Sequence, residues 1–192
     1  MLPELTVCVL ISADGKIATR SQESLHQFGS DSHHRRRAEL AAGADALLLD
    51  STTAHSGPPD GAPDQRVIVI DDEQSSPATA ISGNRILLTS TTPIKEQLET
   101  LSDQFGIRRI FCCARPALLR KVMKDGLVST LYLTMTDHVI GGHASNTICG
   151  NGAATPFSSS IPLRLVSHTA VVNGSTSELQ LVYQSPSMPQ QP

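Results

Sequence analysis

Six short apolar runs, each unbroken rather than alternating, set the strongest limit on what this chain can fold into. They are Val7-Cys8-Val9-Leu10-Ile11, Ala46-Leu47-Leu48-Leu49, Val67-Ile68-Val69-Ile70, Ile86-Leu87-Leu88, Ile110-Phe111-Cys112-Cys113 and Leu131-Tyr132-Leu133-Thr134-Met135. A strand with one wet face alternates apolar and polar side chains, whereas a strand covered on both faces reads as a continuous run. Short buried helical segments share that signature, but the lengths of these runs and their bounding turns favour strands. The runs therefore predict a mostly parallel sheet with layers on both sides.

Helical spacing fills the gaps. Asp31 to Ala42 is rich in Ala, Arg, Glu and Leu, with Ser30 or Asp31 as its N-cap and Gly43 as its stop. Pro93 to Phe105 starts on a proline suited to a first turn, carries Ile94, Leu98, Leu101 and Phe105 on one face, and stops at Gly106. Residues 116 to 125 repeat the scheme, with Pro116, then Leu118, Leu119 and Val122, then Gly126. Strand, helix, glycine, strand thus occurs three times, the mark of an α/β domain. The last third differs. Gly141-Gly142 and Gly150-Asn151-Gly152 mark loops, and strands at Leu163 to Thr169 and Glu178 to Tyr183 flank the turn residues Asn173-Gly174 as a closing hairpin. One domain over residues 1–184 is expected, with 185–192 as a frayed tail.

Composition removes whole classes of function. The 192 residues are 39 % hydrophobic, which supports a real core and excludes disorder of the whole chain. A net charge of −3 lacks the basic excess of a protein that grips nucleic acid. No apolar run reaches the ~20 residues of a membrane helix, and Met1-Leu2-Pro3-Glu4 carries no positive flank of a signal peptide. A soluble, cytoplasmic protein is expected. Cys8, Cys112, Cys113 and Cys149 fit neither a metal pair nor a disulfide framework; the first three sit in apolar runs and read as buried, reduced thiols.

Few constellations carry chemistry by themselves. His33-His34-Arg35-Arg36-Arg37 is the densest charge, read either as a solvated helix face with one or two residues covering apolar surface, or as an anion site at a helix start. The adjacent histidines lack a third ligand, so no metal site is expected. Asp50-Ser51-Thr52-Thr53 follows the second run, at the carboxyl end of a parallel strand where ligands sit in open α/β sheets; ordinary turn chemistry accounts for it equally. Ala114-Arg115-Pro116 joins another run to a helix start and carries one fixed positive charge, a junction suited to phosphate.

The order of motifs resembles a known family. Ser12-Ala13-Asp14-Gly15-Lys16-Ile17-Ala18 resembles the "S-L-D-G-K-I-A" segment of the pyrimidine reductase domain of riboflavin biosynthesis, found at the C-terminus of the bacterial bifunctional deaminase-reductase and related to dihydrofolate reductase. Ala44 to Leu49 with Thr53 resembles "A-D-A-I-L-V-G-x-x-T", and Arg66 to Asp71 resembles "R-V-V-L-D". Gly126-Leu127-Val128, Leu131 to Leu133 and Ile140-Gly141-Gly142 match "G-L-V-D-E-L…P-x-x-x-G-G", and Glu178 to Tyr183 resembles the terminal strand. The match runs in order from Val7 to Tyr183.

The resemblance implies a dihydrofolate reductase-like α/β fold, a mostly parallel central sheet flanked by helices and closed by a C-terminal hairpin. It also implies a homodimer, NADPH as hydride donor, and a phosphorylated pyrimidine whose ribosyl group is reduced, a 5-amino-6-(5-phosphoribosylamino)uracil-like molecule. Ser51, Thr53, Ala114 and Arg115 would then meet the cofactor, and Ser12 and Asp14 the substrate; no catalytic residue is assigned. Several family residues are replaced. Cys8 stands for a Lys or Asn, Asp50 for a glycine, Ala41 for an arginine, and Gly57-Pro58 for an acidic pair before Pro59. Cys113-Ala114-Arg115 stands for the Glu-Gly-Gly that meets the pyrophosphate, where glycine lets backbone approach closely. Arg115 and Asp50 either flank the phosphates or pair with each other and close the cleft. The alternative function is accordingly a catalytically degenerate homologue that keeps the fold as a binding or interaction protein.

Overall fold

The computed structural model describes residues 1–17, 28–55, 65–71, 80–89, 92–113, 115–142, 146–150, 157–174 and 176–186. In chain order its elements are β1 (Glu4–Ile11), α1 (Asp31–Ala42), β2 (Ala46–Asp50), α2 (Ser51–His55), β3 (Arg66–Asp71), β4 (Ala80–Ser82) and β5 (Arg85–Thr89). There follow α3 (Ile94–Phe105), β6 (Arg109–Cys112), α4 (Pro116–Lys124), β7 (Val128–Thr136), β8 (Arg164–Asn173) and β9 (Thr176–Gln184). Among the described residues the strands form a single sheet in the order β4-β5-β3-β2-β6-β1-β7-β9-β8. The pairings β1/β6, β1/β7, β2/β3, β2/β6 and β3/β5 are parallel. Only β4/β5, β7/β9 and β8/β9 are antiparallel. The six apolar runs thus form six adjacent parallel strands, and β8–β9 closes the sheet as the expected hairpin.

Two apolar layers explain the unbroken runs. On one face Leu5, Val7, Leu48, Ile68 and Cys112 pack under Leu98 and Leu101 of α3 and Leu118, Leu119 and Val122 of α4. On the other, Cys8, Leu47 and Phe111 meet Ala41 of α1, and Leu49, Val67 and Val69 meet Ala54 of α2. Successive strand residues point to opposite faces, so a covered sheet needs apolar side chains at every position. Burying a leucine such as Leu98 contributes roughly 1.5–3 kcal/mol. Of the three cysteines expected to be buried, Cys8 and Cys112 are; Cys113, just past the carboxyl end of β6, is only half-buried.

Helix boundaries follow the punctuation, with two differences in the helices and one additional strand. Pro93 caps α3 from outside rather than entering its first turn. Gly106 ends α3 in the left-handed conformation at φ 67°, which glycine adopts without a Cβ penalty. Residues 51–55 form a helical turn, α2, rather than an irregular turn, and the short β4 was not anticipated because no apolar run announces it. The stretch 57–59, Ala114 and 187–192 lie outside the described residues. Within them no helix is long and apolar enough to cross a membrane.

Candidate functional site

Parallel strands place their carboxyl ends at one edge, and three neighbours in the order β2-β6-β1 bring there the residues singled out from the sequence. Ser51 and Thr53 follow β2, Arg115 follows β6, and Ser12 and Asp14 follow β1. Ala114 lies outside the described residues.

At the β2/β6 junction Asp50 organises everything. Its carboxylate accepts the backbone N–H of Thr53 at 2.9 Å and the Thr53 hydroxyl at 2.9 Å. It also accepts the backbone N–H of Arg115 at 2.9 Å and the Arg115 Nε–H at 3.2 Å, while Arg115 Nη2 donates to the Thr52 hydroxyl at 2.6 Å. Burial pushes the Asp50 carboxyl up, but the Arg115 N–H, the two Thr53 donors and the guanidinium outweigh it, and the net shift is downward. Of the two arrangements open to Asp50 and Arg115, the structure has the one in which they pair. Thr53 and Arg115 present the donors a phosphate needs, and the carboxylate of Asp50 holds them.

At the end of β1 the segment from Ser12 to Lys16 is a tight turn. Ser12 Oγ donates to Asp14 at 2.6 Å and accepts the Lys16 N–H at 2.9 Å, and Ser12 is fully buried. Asp14 also accepts the N–H groups of Ile140 at 3.1 Å and Gly141 at 2.8 Å. The Ser12 hydroxyl, then these two amides, hold the Asp14 carboxyl down at about 2. Asp14 therefore fastens the Gly141-Gly142 loop, whose glycines take φ 72° and 79°, to the end of β1.

The charged run on α1 divides three ways. His34 and Arg35 are exposed, as a solvated face requires. Arg36 lies over the Tyr132 ring at 5.8 Å, and Arg37 Nη2 reaches Cys113 Sγ at 3.8 Å, so two long side chains cover apolar surface. His33 departs from expectation: it is fully buried, its Nδ1 3.0 Å from the Thr134 hydroxyl. The start of α1 already holds an anion. Glu178 of β9, buried, accepts the Ser30 N–H at 2.6 Å and the Ser30 hydroxyl at 2.7 Å, while Ser30 caps the helix by accepting the His33 N–H. Nothing in the sequence announced this pairing, which spans 148 positions. Among the described residues no group of three His, Cys, Asp or Glu is placed to hold a metal ion.

A family model for the RibD C-terminal domain matches residues 3–176 of this chain. No curated protein matches it. Solved structures share the fold at low identity. A pyrimidine reductase-like protein from Corynebacterium diphtheriae superposes with a TM-score of 0.71 at 17 % identity, covering 95 % of this chain and 91 % of that one. RibD from Acinetobacter baumannii, form 2, gives 0.68 at 17 % identity over 95 % of this chain, which spans only 58 % of that longer protein. Dihydrofolate reductase from Enterococcus faecalis, complexed with NADP(H) and RAB-propyl, gives 0.61 at 15 % identity, covering 95 % and 96 %.

Proposed function

The chain belongs to the RibD C-terminal domain family, and from that premise we propose that it is an NADPH-dependent reductase of riboflavin-biosynthesis type, acting on the ribosyl group of a 5-amino-6-(5-phosphoribosylamino)uracil-like substrate. The observation that carries this proposal is the gathering of Ser12, Asp14, Ser51, Thr53 and Arg115 at the carboxyl ends of three adjacent parallel strands, the edge at which open α/β sheets take ligands.

Bound there, NADPH would supply the hydride. The chain's own residues supply the binding. Thr53 offers a hydroxyl and an amide, Arg115 a guanidinium and an amide at the start of α4, and both sets suit phosphate in number and kind. Asp50 must release them first. The Arg115 side chain is 56 % exposed but that of Asp50 only 14 %, so the release gives up hydrogen bonds to a largely buried carboxylate as well as the exposed guanidinium contact. Asp50 thus weakens phosphate binding by competition and by its own charge. Asp14, locked onto the loop at 140–141, acts through that loop, which it holds beside the end of β1.

Calorimetric titration with NADPH tests the assignment directly. Binding by the natural chain, and oxidation of NADPH when the phosphorylated pyrimidine is added, are the expected results. Absence of binding at millimolar NADPH would overturn the reductase assignment and favour a homologue that keeps the fold for binding alone.

The proposed assembly is a two-fold dimer. Cross-strand partners share a face, so the register Leu165↔Tyr183, Ala170↔Leu179 and Val172↔Ser177 puts Leu165, Val172 and Leu179 on one side of the β8–β9 hairpin. That side continues the layer in which Tyr183 packs against the main core. Past the half-buried Leu181 it opens to solvent: Leu165, Val172 and Leu179 are 48 %, 77 % and 37 % exposed, and residues 164–170 are exposed throughout. A second copy presents the same apolar patch, and an isologous contact covers both at once.

A further inference from the structure

One pair of thiols in the layer under α1 has no part in the reductase proposal. The parallel register of β1 with β6 runs Leu5↔Ile110, Thr6↔Phe111, Val7↔Cys112. One further step along both chains sets Cys8 beside Cys113. The hydrogen bond from Cys113 N–H to the Leu48 carbonyl at 3.0 Å shows that the chain keeps its extended path at Cys113. Both side chains belong to the layer formed with Leu47 and Phe111 under α1. Cys112, between Phe111 and Cys113, points into the opposite layer.

We propose that Cys8 and Cys113 are a reversible oxidation site, joined by a cross-strand disulfide when the protein meets a peroxide. Neighbouring strands lie about 4.8 Å apart, within the 4.4–6.8 Å over which Cα atoms accept a disulfide. A bridge also needs its Cβ atoms within roughly 3.5–4.5 Å, so the strands must pinch slightly, and a strained bridge is readily reduced.

The two thiols have unequal roles. Cys113 is half-buried at the open end of β6, with the Arg37 guanidinium 3.8 Å from its sulfur, a positive charge placed where the attacking thiolate carries its negative one. Cys8 is buried in the sheet, and burial raises its thiol to about 12 against the opposing pull of Arg37, so it remains protonated and slow toward an external oxidant. Cys113 sulfur attacks hydrogen peroxide, the O–O bond breaks, and water leaves after taking up the thiol proton, giving a sulfenic acid. Cys8 sulfur then attacks the Cys113 sulfur, the S–O bond breaks, and the departing hydroxyl leaves as a second water with the Cys8 proton. Two thiols and one peroxide become one disulfide and two waters.

The site does not depend on the reductase proposal, and its test reads mass rather than activity. The natural 192-residue chain is treated with hydrogen peroxide, its remaining thiols are alkylated, and peptides are mapped without reduction, with and without dimedone to trap sulfenic acid. The expected result is loss of two hydrogens from the intact mass, a Cys8–Cys113 cross-linked peptide, and its disappearance after dithiothreitol. Cys8→Ser should leave Cys113 as a dimedone-trapped sulfenic acid, while Cys149→Ser should still form the bridge. The proposal fails if oxidised natural protein carries a lasting Cys113 sulfenic or sulfinic acid with no bridge, if Cys113 is joined to Cys112 or Cys149 instead, or if no thiol reacts. Circular dichroism of Cys8→Ser confirms that the variant is folded; should it not fold, the peptide map of the natural chain decides by itself.

Discussion

The Asp50 carboxylate accepts the backbone N–H of Arg115 at 2.9 Å and pairs with its guanidinium at 3.2 Å, tying the end of β2 to the start of α4. The same carboxylate bonds the Thr53 amide and hydroxyl. It occupies the donors that the proposed phosphate site would use.

Removing that internal anion should open the junction. Asp50→Gly is expected to tighten NADPH binding by about tenfold, or ~1.4 kcal/mol, and Arg115→Gly to weaken it by a similar factor. Calorimetry on the two variants checks both. Asp50→Gly should also cost about 1 kcal/mol of stability through the lost Thr53 and Arg115 hydrogen bonds, read from urea unfolding. Equal NADPH affinity in all three proteins would remove the junction from cofactor binding.

The carboxyl of Asp14 gives a pH prediction. Its native value is about 2 against an ordinary 3.8, so the folded state binds a proton less readily than the unfolded one. The resulting stabilisation is fully present above about pH 4 and is lost as pH falls toward 2; Asp50, also lowered, acts in the same direction. Melting temperature should therefore drop across that window, and Asp14→Asn should flatten the drop while raising hydrogen exchange at Ile140 and Gly141. An unchanged acid profile in Asp14→Asn would show that the loop holds without the carboxylate.

At the other helix start, Ser30 and Glu178 form a unit. Ser30→Ala is expected to cost about 1 kcal/mol as a lost cap. Glu178→Ala should cost about 1 kcal/mol or somewhat more, because it leaves the half-buried Ser30 donors without their acceptor. Because the two residues share hydrogen bonds, the double variant should lose less than the sum of the singles. Additive losses in urea unfolding would show that they act independently.

The parallel sheet was legible because burial on both faces writes itself as unbroken runs, and the helices because Ser30, Pro116, Gly106 and Gly126 punctuate them. The places of the candidate residues at strand ends were legible too, since a strand's carboxyl end is fixed once the strand is. Their hydrogen-bond partners were not. Asp14 meets a loop 126 positions away, Glu178 a cap 148 positions away, and Asp50 an arginine 65 positions away. No local pattern encodes such pairs, which depend on strand order. His33 misled for a related reason: a histidine beside His34 and three arginines looks solvated, yet a helix turns about 100° per residue, and this one faces Thr134. The short β4 carries too few apolar residues to be seen at all.

Assembly offers the last prediction. The hairpin leaves Val172 77 % exposed near its turn and Leu165 48 % exposed near its other end, on the same side of a sheet edge whose outer strand spans ten residues from Arg164 to Asn173. A long apolar edge left open invites pairing or aggregation, and a monomeric protein rarely keeps one. Light scattering at tens of micromolar should give a dimer, with an interface above ~1,000 Å² in total. Val172→Asp places a charge on the patch of each copy, and across a two-fold contact each copy repeats the damage. The variant should therefore scatter as a folded monomer, with its circular dichroism unchanged because Val172 contributes little to the core of its own chain. A natural protein that is monomeric at that concentration would overturn the dimer, and a Val172→Asp protein that remains dimeric would move the interface to another face.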